Sequence, residues 1–261
     1  MRMRILSTRL LFCLFVALIS TAIAARGEMK QGSAVVKAVS GSASYLDELG
    51  FSHPLTVGTV LKEGHTVKTG AESSVDLFLD QNGPNVGVDA NSTLRLEKLA
   101  YEKTALGTKI DTLLDLKAGQ MSGSVKKLIS GSRYEVKMPQ GVAKVRGTIF
   151  YIDSTQGTVH VTSGNVFVTV NLTIGGVTST RTLTVHSGQS LFIPSTATAS
   201  SGQDYLDKLV VVSTPPGTSF AGLTKYEREQ DPATVTENFT GKKQGKKITV
   251  NKPPTEIVVS P

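Results

Sequence analysis

Apolar residues recur at every second position through most of this chain, in short runs that Gly, Asn, Asp or Ser interrupt. Val75-Leu77-Leu79, Val86-Val88, Leu94-Leu96, Val159-Val161 and Val166-Val168 all follow this spacing. Successive side chains of a strand point to opposite faces, so period two marks strands buried on one side. Helical periodicity is nearly absent, and the candidates are residues 96–101 and 205–211. Turn signals spaced roughly every 8–12 residues place the body, residues 32–194, among all-β folds. The expected architecture is short-stranded and quasi-repetitive: a sandwich, a barrel or a solenoid-like stack.

A local unit recurs around glycine. In "VHVTSGNVFV", Val159, Val161, Val166 and Val168 flank Gly164, and a hairpin turning on Ser163-Gly164 would pair Val161 with Val166 and Val159 with Val168. The same frame fits Gly41 in "VKAVSGSASY", and partly Gly119 and Gly188. Each glycine follows Ser or Ala, which suits a turn needing positive φ only at its second central residue. Primed hairpin turns prefer Asn or Asp before the Gly, so corners between layers are the alternative to hairpins.

The N-terminus carries Arg2, Arg4 and Arg9, the apolar run LLFCLFVALIS, and Ala22-Ile23-Ala24, a small-x-small cleavage pattern. This is the grammar of a secretory signal peptide over residues 1–24, cut after Ala24. The apolar run is shorter than the roughly 20 residues of a spanning helix, so a cleaved leader is favoured over an uncleaved anchor and no transmembrane segment is expected afterwards. The expected location is periplasmic or secreted. Cys13, the one cysteine, lies inside the leader. The mature chain then has no thiol, which excludes thiol catalysis, thiolate zinc sites and disulfides.

The formal charge of +7 falls to +4 once the three leader arginines are removed, and "GKKQGKKITVNK" supplies most of the remainder. A basic tail on a near-neutral body is weak grounds for nucleic acid, and none is expected as a partner. After residue 194 the composition turns polar. Residues 195–220 read as a linker with one short element, and residues 221–261 as a flexible basic tail with too few apolar anchors to offset ordering entropy.

Groups that carry chemistry are sparse. His53, His65, His160 and His186 stand far apart and in none of the local spacings of a metal site, so neither metal nor cofactor is expected. No Gly-x-Ser-x-Gly elbow frames a serine, and no catalytic residue is assigned. "DQNGPNVGVD" offers Asp80, Asn82 and Asp89 in the manner of a calcium loop, yet lacks further acidic ligands and reads better as a hairpin loop.

One longer stretch, "VKMPQGVAKVRGTIFYI", is more specific. Together with Gly58, Gly64, Thr69-Gly70, the turn over 80–84 and Asn91-Ser92-Thr93, it resembles the FecR-type domain. In that family a Thr-Gly step, here Thr69-Gly70, precedes a central strand. A Pro-x-Gly-x-x-x-Val-Arg-Gly-Thr-x-Phe stretch marks the second half, here Pro139, Gly141, Val145, Arg146, Gly147, Thr148 and Phe150. The resemblance covers residues 32–194 and implies an extracytoplasmic β-rich module. Its best-known setting is the periplasmic part of a regulator that relays an outer-membrane transporter's state to a cytoplasmic sigma factor. Fewer than ten residues precede the apolar run here. The resemblance is therefore to exported proteins that carry the domain without a cytoplasmic anti-sigma segment.

Within that stretch, Gly147 suits a bulge or a close backbone approach. Arg146 is expected to bond the carbonyls freed there, or to pair with Glu135 or Asp153; the alternative is an exposed contact to an anion or a partner. The leading expectation is a non-enzymatic binding or sensing module acting on an envelope protein or glycan. The alternatives are a polysaccharide-active enzyme using two of Asp76, Asp80, Asp89 and Asp111, and a membrane-tethered regulator with an uncleaved anchor.

Overall fold

A computed structural model describes residues 28–220 apart from 84, 175, 195–200, 216, 217 and 219. The expected leader with Cys13 and the expected basic tail lie outside the described residues. The first half forms β1 (Lys30–Gln31), β2 (Ala34–Ser40), β3 (Ala43–Leu46), β4 (Ser52–Pro54), β5 (Val60–Leu61), β6 (Thr66–Thr69) and β7 (Ser74–Phe78). A 3-10 turn at Asp80–Asn82 leads to β8 (Asn85–Val88), β9 (Thr93–Thr104) and β10 (Gly107–Ala118). Then follow β11 (Gln120–Val125), β12 (Arg133–Met138), β13 (Gly141–Val145), β14 (Thr148–Asp153) and β15 (Thr158–Ser163). The rest is β16 (Asn165–Ile174), β17 (Val177–His186), β18 (Gln189–Phe192), the helix α1 (Gly202–Asp207) and β19 (Val210–Ser213). All of these belong to one compact unit. No helix among the described residues is long and apolar enough to cross a membrane.

The fold is all-β, a sandwich of two sheets. The first runs β17-β16-β13-β12-β10-β9-β6-β3-β4, with β1 on β9; the second runs β19-β18-β15-β14-β11-β8-β7-β2-β5. Period-two residues of both meet in one core: Leu94, Leu114, Val136 and Val166 from the first sheet, Val75, Val86, Phe150 and Val159 from the second. Tyr134 meets Phe150 edge-on across the interior at 6.5 Å, a favoured aromatic geometry.

The recurring glycine unit is a corner, not a hairpin. Val161 pairs with Phe150 and Gln189 in the second sheet, whereas Val166 pairs with Val145 and Val185 in the first. The chain changes sheet at Ser40-Gly41-Ser42, Ala71-Glu72-Ser73, Ala90-Asn91-Ser92, Ala118-Gly119-Gln120, Arg146-Gly147-Thr148, Ser163-Gly164-Asn165 and Ser187-Gly188-Gln189. The middle residue of every triplet has positive φ, from 51° at Glu72 to 84° at Gly119 and Gly164. A left-handed residue turns the backbone out of one pleated layer into the other at little steric cost when it is Gly, and at modest cost when it is Asn.

The corners stack. Gly70 N donates to Ser42 O, Asn91 N to Gly70 O, and Gln120 N to Ser92 Oγ, tying the first four together along one edge. At Gly119 a Cβ would lie 2.5 Å from the Ser92 Cα, so the neighbouring corner demands glycine as much as the dihedral does. The last three corners lie on the opposite edge, as the registers require: Gln120 at the start of β11 faces Asp153 at the end of β14, and Val125 faces Thr148. The switch is made by β12, which joins β10 in the one parallel pair among the described strands. It is reached by the crossing loop 126–132.

Two helical expectations resolve differently. Residues 96–101 lie in β9, where the ladder to β10 slips between Leu113 and Leu114, so Lys98 faces Leu113 and Leu96 faces Leu114. The extra residue puts both Leu96 and Leu99 inward, and a spacing of three imitates a helix. Residues 202–207 do form a helix, N-capped by Ser201, whose side chain accepts from Asp204 N. The part of the expected linker over 202–213 is thus built into the body. Tyr205, Leu206 and Leu209 enter the core, Arg181 donates to Leu206 O, and β19 extends the second sheet.

Candidate functional site

Six of the seven corners place Ser or Ala before the left-handed residue; the seventh places Arg146 there. Its neighbours follow from the fold. Val145 and Thr148, on either side of the corner, are buried and anchor it. Thr148 Oγ1 donates to Asn165 O at 2.9 Å, pinning this corner to the next. Gly147 has φ 71°, and a Cβ there would lie 3.1 Å from the Lys127 Cα, which brings the crossing loop alongside.

Arg146 is exposed and, among the described residues, has neither a hydrogen bond nor an ion pair. The expected partners are engaged elsewhere. Glu135 faces Lys144 at 3.7 Å and Arg133 at 3.9 Å. Asp153 accepts from Gln120 Nε2 at 2.8 Å and from the backbone N–H groups of Thr155 and Gln156. No freed carbonyl takes the guanidinium either, because a corner replaces the expected bulge. Arg146 therefore remains an unneutralised cation at the sandwich edge.

Beside it lies a groove of about 170 Å³ whose walls include Leu128, Ser132, Arg133, Lys144 and Phe167. Phe167 is 45% exposed and stands opposite Lys144 across the β13–β16 ladder. Lys126 and Lys127 are exposed at the start of the crossing loop, also without ion pairs among the described residues. Sequence reasoning did not single out Lys126, Lys127 or Phe167. The available signal for Phe167 was its outward phase in "NVFVTV", where the valines point in.

Elsewhere on the first sheet's outer face a lattice of ion pairs takes up the carboxylates, while Lys68 and Arg95, like Arg146, are exposed without an ion pair among the described residues. Asp111 accepts from Arg133 Nε at 2.5 Å and lies 2.7 Å from Lys98 Nζ. Partial burial works to raise the Asp111 carboxyl, but the hydrogen bonds and charges of Arg133 and Lys98 overcome it and leave it below its ordinary value. The same contact holds Arg133 more firmly protonated. Glu97 takes Lys137 at 2.8 Å. The lattice thus satisfies its own carboxylates and leaves the positive charge of the Arg146 edge uncovered.

The remaining motif residues serve the frame. Thr69 Oγ1 donates to Asp89 O and accepts from Ser92 N at 2.9 Å, joining the corners around Gly70. A Cβ on Gly141 would lie 2.2 Å from Thr169 O, a close approach of strands. Phe150 is fully buried, its ring over Gly123. Pro139 is exposed between two depressions of about 430 and 470 Å³ that share Pro139 and Asn171. In the second, Gln140 Oε1 is buried with no partner among the described residues, while its Nε2 donates to Ser154 O.

The four carboxylates weighed for catalysis do not converge as a set. Asp111 is on the first sheet, tied as described, and Asp80 and Asp89 flank opposite ends of β8. Asp76 pairs with Gly87, which by alternation puts Asp76 and Asp89 on the same outer face of the second sheet. Asn82 points inward, donating to Ala100 O at 2.8 Å and Thr112 Oγ1 at 3.0 Å, so the calcium-like stretch is a turn whose would-be ligands diverge. No three of His, Cys, Asp and Glu gather as a metal site among the described residues.

The model of the family described as FecR protein matches residues 65–167, from the residue before β6 into β16. The segment holds both Thr69-Gly70 and Arg146-Gly147-Thr148, so the resemblance drawn from those residues is shown over this stretch. No curated protein matches the chain. Two crystal structures, at 2.50 and 1.65 Å, of a protein provisionally described as an anti-sigma factor from Parabacteroides distasonis are similar to it, with 14% and 15% identity and a TM-score of 0.41. Each alignment covers 57% of this chain and 59% of that one.

Proposed function

We propose, from the FecR match and the uncovered cation at one corner, that this chain is a non-enzymatic sensing module of the cell envelope that docks a polypeptide at the Arg146 edge. The FecR match supports a sensing or signalling role. The leader pattern over 1–24 supports export. The observation that carries the docking reading is Arg146 itself: exposed, unpaired among the described residues, and standing where the other corners have Ser or Ala. Arg and aromatic residues are the side chains that most often dominate interface energy, and Phe167 is beside the same groove. With Lys126, Lys127 and Lys144 around it, the partner that fits presents a carboxylate and an apolar side chain to the groove.

A second reading, glycan binding, rests on the buried and unpartnered Gln140 Oε1 beside Asn171 and Gln156, an acceptor set suited to sugar hydroxyls. One experiment separates the two. Mature chain beginning at Ala25 is used to capture a partner from the native envelope, and that partner is then purified and titrated against wild type, Arg146→Ala and Gln140→Ala. Arg146→Ala is expected to weaken a protein partner about tenfold or more, equivalent to about 1.4 kcal/mol, with unchanged thermal unfolding. Equal binding by wild type and Arg146→Ala removes the docking reading. Loss in Gln140→Ala alone, on a sugar polymer, establishes the glycan one. Intact mass of the native protein tests export, since a start at Ala25 is expected and a retained apolar N-terminus would indicate a tethered regulator.

A further inference from the structure

The outer face of the second sheet does not behave as an outer face. A single transverse row, fixed by register, runs Asp76, Gly87, Ser122, Tyr151, His160, Ser190, Val212. These positions point away from the sandwich interior, yet Ser122 is fully buried, Ser190 is 2% exposed, and Tyr151 and His160 are each 6% exposed. Burial there cannot come from the core, and Ile149 and Tyr151 indeed form a cluster separate from it.

What packs on that cluster is Phe220, from the segment after β19. Its ring stacks on the His160 imidazole with centroids 4.1 Å apart and an 18° interplanar angle, and lies 5.1 Å from the Tyr151 ring. A second tether precedes it: Thr214 Oγ1 is 3.0 Å from His160 Nδ1 and 2.8 Å from Ser190 Oγ, and Thr214 N donates to Gly188 O. One imidazole is thus gripped along its edge by Thr214 and covered on its face by Phe220. In the same row the Ser122 hydroxyl is buried without a partner among the described residues. A buried hydroxyl left unmatched on such a face suits a site whose occupant can be exchanged better than a finished core.

We propose that this face of β14 and β15 is a receptor for an aromatic side chain of a polypeptide, filled in cis by the chain's own Phe220, so that another aromatic segment binds only when Phe220 leaves. The inference rests on none of the Arg146 observations: its ring contacts are those of Tyr151 and His160, further along β14 and on β15. Intramolecular occupation sets the competition quantitatively. A short tether gives an effective concentration on the order of millimolar, so a tethered segment of about 100 μM intrinsic affinity weakens any competing peptide about tenfold.

The test uses the full chain, wild type and Phe220→Ala, with a synthetic peptide of residues 214–226 as probe. Phe220→Ala is expected to bind the peptide saturably and at least tenfold more tightly than wild type, and the same peptide carrying Ala at the Phe220 position is expected not to bind. In wild type, ring stacking shifts the His160 ring-proton resonances upfield, and Phe220→Ala returns them. Equal peptide affinity of the two proteins, no binding to Phe220→Ala, or unchanged His160 resonances would each overturn the proposal. Should Phe220→Ala fail to fold, Phe220→Leu keeps apolar volume without the stack and must still lose the His160 shift.

Discussion

The two outer faces of this sandwich are built from the same kind of position, every second residue of a strand, and meet different fates. On the first sheet the row Glu135, Lys144, Phe167, Thr184 is wet and mostly charge-balanced. On the second, the row Ser122, Tyr151, His160, Ser190 is dry, with Phe220 on Tyr151 and His160 and Thr214 on His160 and Ser190. Alternation decides which side chains leave the interior; it does not decide what they meet outside. The face that is covered from within the chain is the one on which a small change in local sequence is expected to be felt globally.

Urea unfolding at neutral pH is expected to rank the faces. Phe150→Ala, which empties the shared interior, sets the upper mark at about 3–5 kcal/mol. Tyr151→Ala, one residue on and facing outward, is expected to cost about 1.5–3 kcal/mol because its ring is buried as if in a core. A Tyr151→Ala cost near zero would mean that the second face is as free as the first.

Acid sharpens the contrast. Burial holds His160 below its ordinary value of 6.5, against a smaller opposing contribution from the Gln189 backbone. Tyr151, the other titratable group packed on Phe220, is pushed above its ordinary value by burial, with Asp153 and Asp89 adding to it, and so stays neutral throughout. With the folded His160 value depressed, the unfolded chain binds the extra proton first. The stability this group contributes is present above about pH 6.5 and is lost as pH falls through the lower folded value. Urea midpoints of wild type are therefore expected to drop between pH 7.5 and 5 by more than those of His160→Gln. Parallel profiles would show that His160 is not buried in solution.

The smallest effect belongs to the first face. Glu135→Ala removes ion pairs to Lys144 and Arg133 at 3.7 and 3.9 Å, both made by half-exposed cations. The expected cost is under about 1 kcal/mol, shrinking further as salt rises. A loss comparable with that of Tyr151→Ala would mean that the charged lattice is as structural as the dry row.

Much of this was legible in the sequence. Val75-Leu77, Val86-Val88 and Val159-Val161 are inward residues of strands as their spacing requires, and the Thr69-Gly70 and Arg146-Gly147-Thr148 signatures fall inside the FecR match. The bulge in β9 was not legible, because one inserted residue turns a period of two into a spacing of three. Nor was the difference between hairpin and corner. Ser163-Gly164 supplies the same positive φ for either, and only the neighbouring corners, pressed against each other as at Ser92 and Gly119, select the change of sheet. The covered face did leave a trace: "TIFYI" is apolar at both phases, as a strand buried on two sides should be.

The sequence alone thus determined the all-β class, most of the strand phases, the left-handed turns at Gly41, Gly119, Gly164 and Gly188, and the presence of an arginine beside Gly147. These are properties of one residue and its near neighbours in the chain. The tertiary structure decided which edge each corner occupies, that Arg146 finds no carboxylate there, and that Phe220 meets His160 sixty residues away. Each of those outcomes depends on which segments the parallel β12 strand and the stacked corners bring together, and no local pattern carries that information.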